Sequence, residues 1–206
     1  MKLNWAERWA VNNPFRPLQQ RLEIRWLRKK AQLSPGAIVL EIGCGRGVGA
    51  YLIKGIFQPE VLQAMDLDIE MIQRAQKYLS SEQREGLSFY VGDVIRLPYH
   101  DRTLDAIFGF GILHHVPDWQ KALAEIARVL KPGGFYLFEE LYPSLYQNVL
   151  TKRILLHPQK NRFRSEDLKG ALQGLNLHLN NFWEHPKIGI LGISIKRTVG
   201  DLIQAK

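Results

Sequence analysis

Four glycines at alternate positions, Gly43, Gly45, Gly47 and Gly49, stand directly behind the apolar run Val39–Ile42, which carries the acid Glu41. Glycine lets a backbone turn tightly and approach a ligand closely, at an entropic cost that an ordinary surface loop need not bear. If a helix follows, its free N–H groups and partial positive charge suit a carboxylate or phosphate. Two further acids end apolar runs. Asp66 stands in "AMDLD" and Asp93 in "YVGDV", and a carboxylate at a strand end can accept hydrogen bonds from a ligand's hydroxyl or amino groups. A paired imidazole, His114 and His115 in "GILHHVPDW", offers proton transfer near neutrality.

The elements that must position these groups are legible from Ala37 onward. Short apolar runs at 37–42, 61–66, 87–93, 104–110 and 134–140 read as strands. Helical patterns lie between them at 47–57, 69–79 and 118–130. The last is the clearest: Trp119, Ala122, Leu123, Ile126, Ala127 and Leu130 recur at three and four, Asp118 is placed to cap the start, and "KPGG" at 131–134 ends it. Such alternation predicts right-handed crossovers and a parallel sheet covered on both faces. Ligands of such sheets bind at the carboxyl ends of the strands, where strand order reverses, and the glycine loop falls there. Toward the C-terminus, 164–175 reads as a helix opened by Ser165. The runs 176–183 and 188–197 read as strands joined by "EHPK". Four residues are too few for a parallel crossover, so this pair is expected to be antiparallel.

A nicotinamide or flavin dinucleotide would call for G-x-G-x-x-G, and Val48 stands where its third glycine belongs. It would also have no regular use for Asp93. The pattern E-x-G-x-G-x-G from Glu41 to Gly47 resembles instead the signature of class I S-adenosylmethionine-dependent methyltransferases. "LDAIFGFGILHHVPDW" and "ALAEIARVLKPGGFYLFEE" resemble their fourth- and fifth-strand segments, especially those of the small-molecule and quinone-biosynthesis group. The resemblance covers roughly Pro35 to Glu140. It implies a doubly wound, Rossmann-like α/β fold with a seven-stranded, mostly parallel sheet and one antiparallel strand. It also implies S-adenosylmethionine as cofactor, with S-adenosylhomocysteine as product. Carried over residue by residue, it puts cofactor contacts at Glu41, Gly43, Gly45, Gly47, Asp66, Leu67, Asp93, Val94, Phe110 and Gly111. At the last two this chain reads "FGFG" where the family often has Asn or Ser. His114 and His115 match a similar pair and are the candidate catalytic residues. Because the methyl carbon is already activated, the protein mainly positions the nucleophile, and the pair is expected to shape the pocket wall more than to titrate.

The 206 residues suit one domain. We expect an N-terminal helical lid at 1–34, a cofactor-binding core at 35–140, and C-terminal helices with the antiparallel pair at 141–206. A single cysteine, Cys44, excludes an internal disulfide and a cysteine-rich zinc site, so no metal centre is expected. There is no apolar run of spanning length and no secretory pattern at the N-terminus, which predicts a cytoplasmic protein. The net charge of +8 concentrates in two groups, Arg16 to Lys30 and Lys152 to Arg164. In the first, Leu18, Leu22 and Trp26 are expected to dock on the core beside a basic stripe of Arg21, Arg25 and Arg28. Glu139, Glu140 and Tyr142 are expected at the rim behind the fifth strand. These features point to a small-molecule acceptor, anionic or lipid-like, with peripheral membrane contact as a further expectation and no nucleic acid. Alternatives are methylation of protein or RNA, which the absence of an "NPPY"-like run disfavours, and a non-catalytic module that binds the cofactor or its product.

Overall fold

The computed structural model describes residues 14–146 and 161–197. Its strands are β1 (Ile38–Ile42), β2 (Val61–Asp66), β3 (Leu87–Val91), β4 (Leu104–Phe110), β5 (Leu130–Leu141), β6 (Leu177–His185) and β7 (Gly189–Lys196). They form one sheet in the order β3-β2-β1-β4-β5-β7-β6. The pairs β1–β2, β2–β3, β1–β4 and β4–β5 are parallel, and β7 runs antiparallel to both β5 and β6. This is the expected seven-stranded sheet with one reversed strand. Order reverses around β1, where the chain first steps outward to β2 and then returns to β4.

The helices are α1 (Arg16–Lys30), α2 (Val48–Phe57), α3 (Ile69–Tyr78), α4 (Ser81–Arg84), α5 (Trp119–Val129), α6 (Pro143–Tyr146) and α7 (Ser165–Gly174), with a 3-10 turn at Leu113–His115. Strand side chains alternate between faces. Val39 joins Ile24, Leu27, Ile53 and Phe108 on the side of α1 and α2, whereas Leu40 and Ile42 join Leu123, Ile126, Leu168 and Leu172 on the side of α5 and α7. Glu41, between Leu40 and Ile42, therefore faces α1 and α2.

Several local expectations are corrected. The strand expected from 134 begins at Leu130, directly after α5, and absorbs the "KPGG" turn as a register shift opposite Leu104 and Ala106. Lys131 holds this bulge to the sheet by donating to both oxygens of Asp105. Asp118 occupies the N-cap of α5 without a side-chain capping bond. Ser165 is the first residue of α7, and its start is capped by Asp167, which accepts from the Arg164 N–H at 2.8 Å. In α1, Trp26 packs against the core as expected, but Leu18 and Leu22 are exposed rather than docked, and Gln20, Ile24 and Leu27 are buried in their place. Two apolar stripes compete on this helix, and the one that matches α2 and β7 wins. The second basic group lies largely outside the described residues, as do positions 1–13 of the expected lid and 198–206 of the expected C-terminal part.

Candidate functional site

The parallel registers bring the singled-out residues to one edge of the sheet. Ile42 pairs with Met65 and Gly109, Asp66 with Val91, and Phe110 with Glu139, so the ends of β1 to β5 converge. The glycine loop is tied across this edge: Cys44 N–H donates to the Met65 carbonyl at 2.9 Å, and Gly45 N–H to the Asp66 carboxyl at 2.9 Å. The other Asp66 oxygen accepts from Asp68 N–H at 2.9 Å. Burial pushes the Asp66 carboxyl up, against these two backbone bonds. Asp68 then caps α3 through Glu70 N–H.

Gly47 caps α2 with φ +81°, a left-handed conformation that glycine adopts without strain. Gly49 is required for another reason. A Cβ there would lie 1.9 Å from Glu41 Oε1, so the missing side chain is the space that the Glu41 carboxyl occupies. Glu41 is 2% exposed, and its Oε2 has no hydrogen-bond partner among the described residues. Burial pushes this carboxyl up to about 8, assisted by Asp66 and opposed by the Ala50 N–H and Arg16.

Asp93 lies beyond β3, where Gly92 N–H donates to the Asp66 carbonyl, and its carboxyl accepts from Ile95 N–H at 3.1 Å. Val94 is buried beside it and Leu67 is exposed at the β2 end. Gly43 packs against Ile112, and Gly111, at φ +70°, packs against His114. Phe110 is buried. Arg46 extends from the loop over the Tyr78 ring and, with Arg74 and Lys77, lines a shallow basic hollow of about 390 Å³. Among the described residues no group of three or more His, Cys, Asp or Glu is placed to hold a metal ion.

Residues 40–138 match a methyltransferase domain family. Over these residues, just under half of its length, the chain is similar to methyltransferase domains, and its fold is that of class I S-adenosylmethionine-dependent methyltransferases. A fatty-acid O-methyltransferase of Mycolicibacterium smegmatis is 35% identical over 108 residues, which are 52% of this chain and 38% of that protein. A sterol 24-C-methyltransferase of Aspergillus fumigatus is 34% identical over 146 residues, 68% of this chain and 37% of that protein. The match thus spans under two fifths of these relatives. The fold is similar to that of a solved methyltransferase of Aquifex aeolicus, with TM-score 0.69 at 20% identity over 95% of this chain and all of the other.

Beyond β4 the chain carries its histidine pair on the 3-10 turn. Glu140, fully buried within β5, accepts from Ile112 N–H and Leu113 N–H on one oxygen and from His114 N–H on the other. The His114 ring Nδ1 lies 2.8 Å from that second oxygen. A carboxylate only accepts, so Nδ1 is the donor in this contact. The His115 ring lies against that of His114, with centres 4.2 Å apart and planes tilted by 39°. Glu139 and Glu140 are therefore residues of the strand, not of a rim loop, and Tyr142 behind them is buried. The Cys44 thiol is buried and pushed up by that burial, the state of a packing group.

Sequence reasoning missed the part played by α1. Arg16 donates to Glu139 at 2.9 Å across 123 residues of sequence and lies 3.5 Å from Glu23. Burial opposes the Arg16 charge, yet Glu139 and Glu23 hold its guanidinium above its ordinary value. Glu23 is pushed up to about 7 by burial, then by Glu139. Glu23, Glu41 and Glu139 thus surround a single guanidinium. No spacing rule connects residue 16 with residue 139; only the common requirement of buried charges for partners could have suggested a pairing.

Proposed function

We propose that this methyltransferase moves the methyl group of S-adenosylmethionine to a small acceptor with a lipid-like body. The observation that carries the cofactor half is the Glu41 carboxyl, buried beneath the glycine loop with one oxygen unpartnered, at the edge where Asp66 and Asp93 also arrive. A buried carboxyl in that state suits a cationic group, such as the ammonium of the cofactor's amino-acid end. Gly43, Gly45 and Gly47 give close backbone approach, Asp66 takes the ribose hydroxyls, and Asp93 with Leu67 and Val94 holds the adenine. Phe110 and Gly111 border the methionine part. When bound, the cofactor supplies a methyl carbon already activated on a sulfonium.

The protein's remaining task is to hold a nucleophile in line, which can be equivalent to effective molarities of about 10⁵–10⁸ M. His114, fixed by Glu140, and His115 packed against it form the acceptor wall. The lipid-like acceptor is supported by the named activities of the fatty-acid and sterol relatives. It is also supported by the apolar side chains Leu67, Ile69, Leu145 and Ile188, exposed at the edge where the site opens. No described helix is long and apolar enough to cross a membrane.

Thermal unfolding tests the cofactor. S-adenosylhomocysteine should raise the melting temperature and NAD or NADP should not; a shift with NAD alone would overturn the reading. Folded Asp66→Ala should lose about 1.5–3 kcal/mol of cofactor affinity through missing charge-assisted hydrogen bonds. Methyl transfer to fatty-acid, sterol, quinone and phenol acceptors then distinguishes the substrate classes.

A further inference from the structure

We propose that α1 docks the methyltransferase on an anionic lipid surface, from which the acceptor enters the site. The surface stands on its own observations; its purpose rests on the lipid-acceptor reading above. The helix has two distinct faces. Ile24 and Leu27 are fully buried against the core, with Gln20 beside them. On the outer face Phe15, Leu18 and Leu22 are exposed by 76, 60 and 61%. Spacings of three and four put these three on one side of the helix, where a helix of a soluble protein ordinarily carries polar residues.

The charge beside this apolar ladder has one sign. Arg21, Arg25 and Lys29 are exposed along it. The helix's one acid, Glu23, is turned inward within 3.5 Å of Arg16 and accepts from Gln19. Apolar side chains bordered by basic ones match acyl chains beneath anionic headgroups. A second copy packed by a two-fold axis would set this cationic stripe against itself, which disfavours a homodimer as the occupant.

Position ties the face to the site. Arg16, at the start of α1, is bound to Glu139 near the carboxyl end of β5, so Phe15 stands at the site's open edge. Leu67 and Ile69 after β2, and Leu145 and Ile188 around the β5 end, continue the exposed apolar rim along the same edge. Docking through this rim turns the site mouth toward the acyl layer.

The test is cosedimentation of the full chain with phosphatidylcholine vesicles, with and without phosphatidylglycerol. The expected result is binding to the mixed vesicles only, weakening as salt rises. Leu18→Glu combined with Leu22→Glu should lower that binding by about tenfold or more, while melting temperature and the S-adenosylhomocysteine shift persist, since both side chains are exposed. Absence of wild-type binding at low salt would overturn the proposal, as would unchanged binding of the double variant. Loss of binding on deleting residues 1–13, with the double variant still binding like wild type, would reassign the surface to that segment. A concentration-dependent dimer abolished by the double variant, without vesicle binding, would assign the face to a second copy. The ligand-induced thermal shift reads the cofactor site separately. Vesicle binding without that shift fails the enzymatic reading, and the shift without vesicle binding fails this inference alone.

Discussion

Glu140 carries more of the site's shape than the histidine it holds, His114. Its two oxygens gather three backbone N–H groups and the His114 ring, all beyond β4, so one side chain on β5 sets the path of the chain where an acceptor would lie. In Glu140→Gln an amide –NH₂ replaces one accepting oxygen and leaves at least one buried donor unpaired. Such a donor costs about 1–3 kcal/mol, and bonds to charged groups are worth about 1.5–3 kcal/mol each. We expect a loss of about 2–4 kcal/mol in denaturant unfolding, with cofactor affinity changed much less, because Glu41 and Asp66 belong to other strands. This role was not legible in the sequence. An acid pair closing an apolar run reads as the end of a strand, and Glu140's partners lie 26 to 28 residues away. The glycine loop was legible because its demands are local: positive φ at Gly47 and a missing Cβ at Gly49 follow from glycine itself.

Among the elements, α1 separates what periodicity gives from what packing decides. Its helical character was plain, but Leu18, Leu22 and Trp26 and the alternative set Ile24, Leu27 and Ala31 both have helical spacing. Only contact with α2 and β7 selects the second set, and of the first set Trp26 alone still packs against the core. The choice has a measurable signature. Leu27→Ala removes a fully buried side chain and should cost about 2–5 kcal/mol, whereas Leu18→Ala, at an exposed position, should stay within about 0.5 kcal/mol. Equal losses from both in urea unfolding would mean that the helix docks by its other face. The β6–β7 hairpin was readable for the opposite reason, since a four-residue connection leaves antiparallel pairing as the available geometry.

Across the whole molecule, the carboxyls gathered beneath α1 link stability to pH. Glu41 is held up to about 8 and Glu23 to about 7, each chiefly by burial, with Asp66, Glu139 and Arg16 as charged neighbours. A carboxyl raised in this way binds its proton more tightly folded than unfolded. Its contribution is present at low pH and is lost as pH rises from the ordinary carboxylate value of 4.5 through about 8. Melting temperature should therefore fall from pH 6 to about 8, and Glu41→Gln, which cannot ionise, should flatten that fall. A variant with the same slope as wild type would show that Glu41 ionises freely in the folded protein.

The reversed strand bears on how the chain is made. β5 is bordered by β4 on one side and by β7 on the other, and β7 begins only at Gly189. A polypeptide emerging from the ribosome completes β1 to β5 well before it can supply β7. During that interval the backbone of Phe135–Leu141 is an unpaired, largely apolar edge, open to a strand from any neighbouring nascent chain. The hairpin is then the cap that ends this exposure, and the time between the synthesis of β5 and that of β7 is the interval in which aggregation competes most directly with folding.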